Sequence, residues 1–267
     1  MNKIAIYCVN YNSYEYLSAF LKSVDVAAKN ASGQADVFVY VADNTEKQVE
    51  EINEVLLNAA LRIFPYHENL GYFGAVKKMM AETKLEDFDF VIISNVDVEL
   101  KANVLNVLLE CYCNDVSHMG WIAPQIYSEA ERRDRNPKIV ARYSLKRLRM
   151  LRLMFKYPLL KFLYNKTLYK RKKYQTYEPG EVYGGHGSFI ILTKEYIRIC
   201  GAINYPVFLF GEELYLAEQC RSNGLKVVYD PRIKIVDEEH SSTGKMTSGF
   251  YNKCNVEALE YIIRTFY

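Results

Sequence analysis

The sequence lacks the features that mark membrane, secreted and disulfide-bonded proteins. No apolar run is long enough to span a bilayer, and Lys3–Val9 has the pattern of a strand rather than of a secretion signal. The six cysteines form no CxxC pair, and several lie in apolar or helical patterns, where a free cysteine behaves as a small hydrophobic residue. Internal repeats and low-complexity linkers are also missing. We therefore expect reduced cysteines and a cytosolic location.

Acidic residues are nearly missing from one segment, although the chain as a whole is balanced. The 267 residues carry a formal net charge of +2, and half of them are hydrophobic. This composition is typical of a globular protein with one large domain, or with one domain and an insertion. Between Arg132 and Lys173 there are sixteen Lys and Arg residues and a single acid, Asp134. The remainder of the chain is acidic, and a charge separation of this size requires an explanation.

Apolar blocks alternate with amphipathic stretches along most of the chain. The predicted strands are Ile4–Val9, Val37–Ala42, Leu61–Phe64, Phe88–Ser94, Gly120–Ile126, Phe189–Leu192 and Lys226–Tyr229. The predicted helices are Tyr14–Ala28, Val49–Asn58, Ala75–Thr83, Ala102–Cys113, Glu195–Cys200, Glu213–Ser222 and Asn255–Arg264. Alternation with short connections indicates an α/β fold with a doubly wound, mostly parallel sheet, which also explains why the strands are continuously apolar.

One acid follows a predicted buried strand. Phe90–Ile93 is a short aromatic and β-branched block, and Asp97 comes four residues after it. A carboxylate at the edge of a core needs water, a donor or a cation, and in open α/β sheets the strand ends carry the ligand-binding crevice. Alternatively, Asp97 caps the helix predicted to begin near Ala102. The functional interpretation is favoured by two acids further along the chain, Glu212 and Glu213, and by the histidine His240.

Six short motifs, taken in order, resemble those of family 2 glycosyltransferases. They are Val9-Asn10-Tyr11-Asn12-Ser13-Tyr14, Val41-Ala42-Asp43-Asn44, Asn69-Leu70-Gly71-Tyr72, Asn95-Val96-Asp97, Gly184-Gly185 and Phe210-Gly211-Glu212-Glu213-Leu214. The resemblance spans roughly Lys3–Ile126 and Glu181–Ser242, and it is nearest to the rhamnosyltransferase-like branch of bacterial polysaccharide synthesis.

The resemblance implies a GT-A-like doubly wound sheet with flanking helices and a basic helical insertion. It divides one domain into a nucleotide-sugar-binding half at 1–126, a basic and partly helical insertion at 127–179, and an acceptor-binding and catalytic half at 180–267.

The resemblance also implies a divalent cation, Mn²⁺ or Mg²⁺, which would neutralise the diphosphate of a UDP- or dTDP-linked sugar. Asp97 matches the metal-binding acid of the family's DxD-type motif, and Asn95 stands where that motif usually has its first acid. His240 lies where some members supply a second metal ligand, although a histidine after an acidic run is also typical of a surface.

The donor site implied by the resemblance is drawn from four strand ends and loops. Its residues are Val9, Tyr11, Asp43, Asn69, Gly71, Asn95 and Val96. Asp43 would accept hydrogen bonds from the nucleobase or the ribose, although an Asp-Asn pair is also a common turn. Gly71 would allow a close approach of the backbone to the donor, or a turn with positive φ.

The catalytic acids implied by the resemblance are Glu213 and Glu212. By position Glu213 is the general base, one methylene longer than the aspartate usual in the family, and it would deprotonate the acceptor hydroxyl for an inverting attack. Two acids at a helix N-terminus also suit the helix dipole alone. Gly184, Gly185 and His186 resemble the turn at which the acceptor meets the donor sugar.

The basic segment has helical spacing, because Arg142, Lys146, Arg149, Arg152 and Lys156 recur at three- and four-residue steps. An apolar arc covers most of the opposite side, and Pro158 ends the helix. Such a stretch suits an anionic membrane surface, and a nucleic-acid surface would also attract it. It can equally be a helical subdomain that packs its apolar face on the core.

We therefore predict an inverting, metal-dependent glycosyltransferase that moves a sugar from a nucleotide-sugar to a lipid-linked glycan acceptor. Its place would be the cytoplasmic face of the membrane, contacted through 132–173, and no nucleic-acid partner is expected. A sugar nucleotidyltransferase is one alternative, although a Gly-rich basic loop for a triphosphate is missing from Val9–Asn12. An inactive glycan- or membrane-binding module is the other.

Overall fold

A single sheet organises the fold in the computed structural model, which describes residues 1–47, 52–167, 176–237 and 246–267. Within these residues ten strands pair in the order β3-β2-β1-β4-β9-β6-β10-β5, with β7 paired to β6 and β8 to β10. The strands are β1 Asn2–Asn10, β2 Ala35–Asp43, β3 Ala60–Pro65, β4 Phe90–Ser94, β5 Val98–Leu100, β6 Met119–Ser128, β7 Arg133–Asp134, β8 Gly180–Val182, β9 Phe189–Thr193 and β10 Lys226–Asp237.

Helices connect the strands and lie on both faces of the sheet. They are α1 Tyr14–Asn30, α2 Tyr72–Met80, α3 Val104–Tyr112, α4 Leu145–Lys156, α5 Pro158–Thr167, α6 Lys194–Cys200, α7 Glu212–Ser222 and α8 Ser248–Phe266, with a short 3₁₀ turn at Leu85–Asp87. One core cluster joins α1 and α3 to the sheet through residues such as Leu17 and Leu105. The other joins α2, α7 and α8 to the opposite face through Phe73, Leu216 and Ile262. The doubly wound arrangement predicted from the sequence is confirmed.

Strand direction gathers most strand ends at one edge of the sheet. β1 is parallel to β2 and β4, β2 is parallel to β3, and β6 is parallel to β10. β9 lies between β4 and β6 and is antiparallel to both. The carboxyl ends of β1–β4, β6 and β10 and the amino end of β9 therefore lie along one edge, which we call the carboxyl edge.

The helix predicted at Val49–Asn58 is wrong for the residues that the structure describes there. Residues 52–58 form no helix, and exposure alternates residue by residue over 52–57, as in an extended segment. Ile52 and Leu56 pack against the core, whereas Val55 and Leu57 are 81% and 86% exposed. Asn58 also hydrogen-bonds Asp25 of α1 through its backbone and its side chain. Alternating exposure over residues 52–57 replaces the helical pattern that the apolar residues suggested.

The basic segment forms two helices. α4 ends at Lys156 and α5 begins at Pro158, so the predicted break at this proline is confirmed. Leu148 of α4 is fully buried, and Leu151 and Phe155 pack against the core, with the Phe155 ring 6.0 Å from that of Tyr251 in α8. The packed-subdomain alternative therefore holds for this face of α4. Throughout the described ranges we find no helix with the length and apolar character needed to cross a bilayer.

Two of the basic residues that recur at helical spacing form ion pairs with the rest of the protein. Arg142 precedes α4, and its Nε donates to Glu218 Oε1 at 2.8 Å, while Arg152 Nη1 pairs with Glu260 of α8 at 3.0 Å. The Glu218 side chain has no solvent exposure. Burial would raise the pKa of Glu218, but hydrogen bonds from Arg142, Tyr183 and Arg221 outweigh this effect and lower it. These two arginines already have acidic partners within the protein. The expectation that the basic residues at helical spacing form one continuous solvent-facing row is therefore corrected.

Candidate active site

The carboxyl edge brings together two acids predicted from the sequence, Asp43 and Asp97, and a third acid, Asp237. Asp43 ends β2, Asp97 follows β4, and Asp237 ends β10. Ser94 at the end of β4 pairs with Phe189 at the start of β9, so the turn before β9 lies beside Asn95. The Asn95 N–H donates to the Ser188 carbonyl oxygen at 2.8 Å and joins the two loops.

Asp97 is half-buried with one oxygen free. Its Oδ1 is buried and has no hydrogen-bond partner in the described part of the chain, whereas Asn95 and the Asp97 backbone hydrogen-bond to the carboxylate. Burial, followed by the negative charge of Asp237, raises the pKa of Asp97 to about 6. α3 begins at Val104 with Asn103 as its N-cap, and β5 separates Asp97 from it. The helix-capping alternative for Asp97 is therefore wrong, and one of its carboxylate oxygens has no partner among the described residues.

Asp237 is the acid whose negative charge raises the pKa of Asp97. It was not predicted from the sequence as a site residue. It pairs with Val98 across the β5–β10 ladder, and its Oδ2 accepts from Arg135 Nη1 at 2.7 Å. Among the described residues, no three His, Cys, Asp or Glu side chains form a group that could hold a metal ion. His240 lies outside the described residues, so its predicted role stays a prediction. A buried carboxylate oxygen without a partner at Asp97 fits one hard oxygen ligand of a divalent cation.

Asp43 is fixed by hydrogen bonds from its own fold. Its Oδ1 accepts from Asn10 Nδ2 at 3.0 Å and from the Thr45 N–H at 3.1 Å, and its Oδ2 accepts from the Tyr14 hydroxyl at 2.9 Å. The residue is only 2% exposed. Asn44 donates to the Gly71 carbonyl, and its own Oδ1 is buried without a partner in the described part of the chain. The Asp-Asn pair therefore builds the loop, and Oδ2 of Asp43 has capacity for a further donor.

Gly71 is required by a contact within the protein. Its φ is +72°, and a Cβ at this position would lie 2.1 Å from the Phe208 carbonyl oxygen. Asn69 Oδ1 accepts the Gly71 N–H at 3.2 Å and shapes the turn. Of the two reasons predicted for this glycine, the turn with positive φ is present, and the close backbone approach is made to Phe208.

The other predicted donor residues lie at the same edge with different exposures. Val9 and Tyr11 are half-buried, at and just after the end of β1. Asn95 is half-buried in the loop after β4. The Val96 side chain is part of the core, so a ligand at this position would meet its backbone.

Glu212 and Glu213 open α7 with different surroundings. Glu212 is 8% exposed, and burial, followed by the negative charge of Glu213, raises its pKa to about 8. Glu213 is half-buried, and its Oε1 accepts the Gly187 N–H at 3.3 Å. Burial therefore favours the protonated form of Glu212, and Glu213 faces the turn before β9.

The turn at Gly184, Gly185 and His186 packs on the core. A Cβ on Gly185 would lie 2.7 Å from the Trp121 ring, and one on Gly184 would lie 3.3 Å from the Ala217 side chain. The His186 N–H donates to Asn136 Oδ1 at 2.7 Å.

The His186 ring has its tautomer set by Ser188. The Ser188 N–H donates to His186 Nδ1 at 3.2 Å, which assigns the proton of the neutral ring to Nε2. Burial and the charges of Lys138 and Arg135 hold the pKa of His186 well below its usual value. A neutral histidine with an Nε2–H donor is thus present beside the turn.

Tyr72 contacts the same residue as Glu213, and no role was predicted for it from the sequence. Its hydroxyl donates to the Gly187 carbonyl oxygen at 3.2 Å. Burial, then the charges of Glu212, Asp97 and Glu213 among its neighbours, hold the pKa of Tyr72 well above its usual value. The position of Tyr72 at the start of α2, directly after Gly71, was the only signal in the sequence. Tyr72 and Glu213 thus bond to the carbonyl oxygen and the N–H of Gly187, respectively.

Two surface cavities differ in their relation to this edge. One of about 570 Å³ opens beside Asp97 and is lined by Tyr16 and Phe20 of α1 and by residues 96–102. Another of about 430 Å³ lies at the amino ends of β1 and β3, near Lys3 and Arg62. Because ligands of open α/β sheets bind outside the carboxyl ends of the strands, the first cavity belongs with the candidate site.

The fold is similar to that of solved glycosyltransferase structures. The crystal structure of GalNAc-T7 with UDP, GalNAc and Mn²⁺ matches with a TM-score of 0.60 and 14% identity, over 97% of this chain and 48% of that one. A structure of S. aureus TarS matches with a TM-score of 0.56 and 11% identity, over 96% of this chain and 43% of that one. A structure of S. aureus TarS 1-349 matches with a TM-score of 0.56 and 9% identity, over 99% and 72%.

This chain thus spans about half the length of the GalNAc-T7 chain that it matches. No protein-family model matches the sequence, and a search of curated proteins finds no match. At these identities the likeness is one of fold. The GT-A-like α/β architecture predicted from the sequence is confirmed.

Proposed function

We propose that this protein is a metal-dependent, inverting glycosyltransferase that uses a nucleotide-sugar donor and a glycan acceptor in cell-surface polysaccharide synthesis. The observation that carries the proposal is the hydrogen bonding around the turn before β9. Tyr72 and Glu213 both bond to Gly187. The loop that carries Asp97, with its buried carboxylate oxygen lacking a partner among the described residues, bonds to the next residue, Ser188, through the Asn95 N–H. The presence of UDP and Mn²⁺ in the GalNAc-T7 structure, which has the same fold, supports this assignment.

The donor would lie along the carboxyl edge from Asp43 to Asp97. The Asp43 loop, ordered by Asn10 and Tyr14, would receive the nucleoside, and Asp97 would be reached by the diphosphate. A divalent cation held at Asp97 would supply charge neutralisation to the leaving diphosphate. Because Asn95 replaces an acid in this motif, Asp97 is its only carboxylate.

Glu213 is the proposed general base. A base must be able to accept a proton, and burial favours the protonated form of Glu212. Glu213 is also the more exposed of the two and contacts Gly187 in the turn assigned to the acceptor. In the reaction, Glu213 takes the proton of an acceptor hydroxyl as its oxygen attacks the anomeric carbon. The bond from that carbon to the diphosphate oxygen breaks, and the configuration inverts.

The alternatives lack matching features. A sugar nucleotidyltransferase would need a Gly-rich, basic loop after β1 for a triphosphate, and the loop here is built by Asn10 and Ser13, with the Ser13 N–H donating to Asn10 Oδ1. An inactive binding module would have no need for a half-buried Glu213 facing the acceptor turn. We retain the rhamnosyltransferase-like branch as the proposal for donor type, with UDP- or dTDP-linked sugars.

A panel of UDP- and dTDP-linked sugars tests the proposal. We would measure thermal stabilisation with each donor in Mn²⁺, in Mg²⁺ and in EDTA, followed by release of free nucleoside diphosphate. We expect at least one donor to stabilise the protein in a metal-dependent way and to be turned over. Stabilisation by nucleoside triphosphates, with pyrophosphate as the product, would favour the nucleotidyltransferase. Binding without turnover on any acceptor would favour the inactive module.

A further inference from the structure

The corner between α4 and α5 exposes an unusual amount of apolar surface. Six large apolar side chains within thirteen residues are exposed: Met150 41%, Leu153 42%, Tyr157 49%, Leu159 75%, Leu160 48% and Phe162 62%. They account for six of the fourteen large apolar side chains that are exposed in the described part of the chain. Single exposed apolar residues are normal, but a cluster of this kind marks an interaction surface.

This exposed surface is separate from the face of α4 that packs on the protein. Leu148, Leu151 and Phe155 face the core and α8, whereas Leu153 and Tyr157 point to solvent. The helix therefore has a second apolar surface that the fold leaves uncovered. Tyr157 is the single residue that separates α4 from α5, so the two helices present their exposed residues at one corner.

The charges around the corner are of one sign. Lys146 and Arg149 on α4 and Lys166 on α5 are exposed, and the structure gives them no partner among the described residues. The ion pairs of Arg142 and Arg152 are on the packed side, with Glu218 and Glu260. No Asp or Glu occurs in the sequence from residue 135 to residue 177. Cations without acids, beside exposed apolar side chains, complement an anionic surface with an apolar interior.

We propose that the α4–α5 corner docks on an anionic lipid bilayer. Leu153, Leu159 and Phe162 enter the boundary between headgroups and acyl chains, and Tyr157 lies at the headgroup level, where an amphipathic ring is stable. Lys146 and Arg149 attract the anionic headgroups. A nucleic acid would use the cations but would leave the apolar side chains exposed, so the bilayer satisfies both features. The inference stands apart from the proposed chemistry, and it would place the acceptor site near lipid-linked glycans at the inner membrane face.

Vesicle co-sedimentation tests this docking without any donor or acceptor. The probes are phosphatidylcholine vesicles with and without phosphatidylglycerol, at low and at high salt. We expect the wild type to bind the anionic vesicles, and to bind them less at high salt because screening shortens the range of the attraction. The Lys146→Glu/Arg149→Glu variant should lose the preference for anionic vesicles.

The Leu159→Ser/Phe162→Ser variant separates apolar insertion from charge attraction. Removing two side chains that enter the interface should weaken binding by about tenfold or more, with an unchanged unfolding temperature because both residues are exposed. Val55→Ser/Leu57→Ser is the matched control, since these residues are 81% and 86% exposed on another surface. It should bind as the wild type does.

Three results would overturn the docking proposal. One is negligible pelleting of the wild type under every condition, and another is equal binding by the Leu159/Phe162 variant and the wild type. The third is a concentration-dependent dimer, seen by sedimentation velocity, that the same variant abolishes while vesicle binding stays absent, because a second copy would then cover the corner. None of these results depends on glycosyltransferase activity.

Discussion

The paired glutamates at the start of α7 give a prediction that can be worked out from the structure. We would replace each glutamate by glutamine, which keeps the shape but cannot ionise. Glu212 is 8% exposed, and its pKa is raised from 4.5 to about 8 by burial and by the neighbouring charge of Glu213. The unfolded chain therefore releases this proton near pH 4.5, whereas the folded protein keeps it until about pH 8. The unfolded state binds fewer protons in this window, so the wild type loses stability as the pH rises through it.

The size of the effect follows from the width of the window. Each pH unit between 4.5 and about 8 costs the wild type at most ~1.4 kcal/mol, which gives an upper limit of ~5 kcal/mol above pH 8. Glu212→Gln does not titrate and should escape this loss. Its advantage over the wild type should be near zero at the acid end of the window and should grow towards pH 8. Glu213→Gln removes a neighbouring charge, so the pKa of Glu212 should fall and the pH dependence should shrink.

Urea unfolding of the wild type and both variants, at pH values across this window, measures the effect directly. A stability difference between Glu212→Gln and the wild type that stays constant with pH would refute the reasoning about Glu212. Turnover separates the roles of the two acids. Glu213→Gln should lower it by roughly 10²–10⁴-fold with donor binding retained. If Glu212→Gln lost activity and Glu213→Gln kept it, the base would be Glu212.

Two further predictions concern stability. Gly71→Ala should destabilise the protein by more than the ~1–2 kcal/mol that a positive φ alone costs an alanine, because its Cβ would lie 2.1 Å from the Phe208 carbonyl oxygen. Gly33→Ala is the matched control, since Gly33 has φ +81° and open space around it, and equal losses in urea unfolding would argue against the clash. Glu218→Ala should cost about 1–3 kcal/mol, because it removes a buried carboxylate that accepts hydrogen bonds from Arg142, Tyr183 and Arg221, although the two arginines can be solvated. Glu181→Ala, from an exposed ion pair, should cost under about 1 kcal/mol, and similar values for the two would contradict the anchoring of the basic segment by Glu218.

The buried central strands could be predicted from the sequence with good accuracy, because the burial of both faces leaves continuous apolar runs. Phe90–Ser94 and Phe189–Thr193 are examples. The short strand Val98–Leu100 could not, since three residues carry no pattern and their pairing with β10 is a long-range contact. The helix predicted at Val49–Asn58 was wrong, because the amphipathic spacing of a segment does not show which parts of the fold its apolar residues can contact.

The acids of the candidate site were predicted because their neighbours in sequence are informative. Asp97 follows a buried strand, and Glu212 and Glu213 open a helix after a glycine of positive φ, Gly211. Tyr72 and Asp237 were not assigned, because their importance comes from residues that are far away in the sequence. The Tyr72 hydroxyl meets Gly187, 115 residues later, and only the folded sheet brings them together.

Nucleotide binding by an Asp97 variant is the most direct test of the central claim, that the carboxyl edge holds a metal-bound nucleotide diphosphate. We would titrate UDP and dTDP into the wild type, Asp97→Asn and Asp89→Asn by calorimetry, in Mn²⁺ and in EDTA. Asp89 precedes the same strand at its opposite end, where its Oδ2 accepts the Lys3 N–H, so it controls for the loss of an acid. We predict that the wild type and Asp89→Asn bind one of the two nucleotides more tightly in Mn²⁺, and that Asp97→Asn loses this difference. An Asp97→Asn protein with the full Mn²⁺ dependence of the wild type would contradict the account.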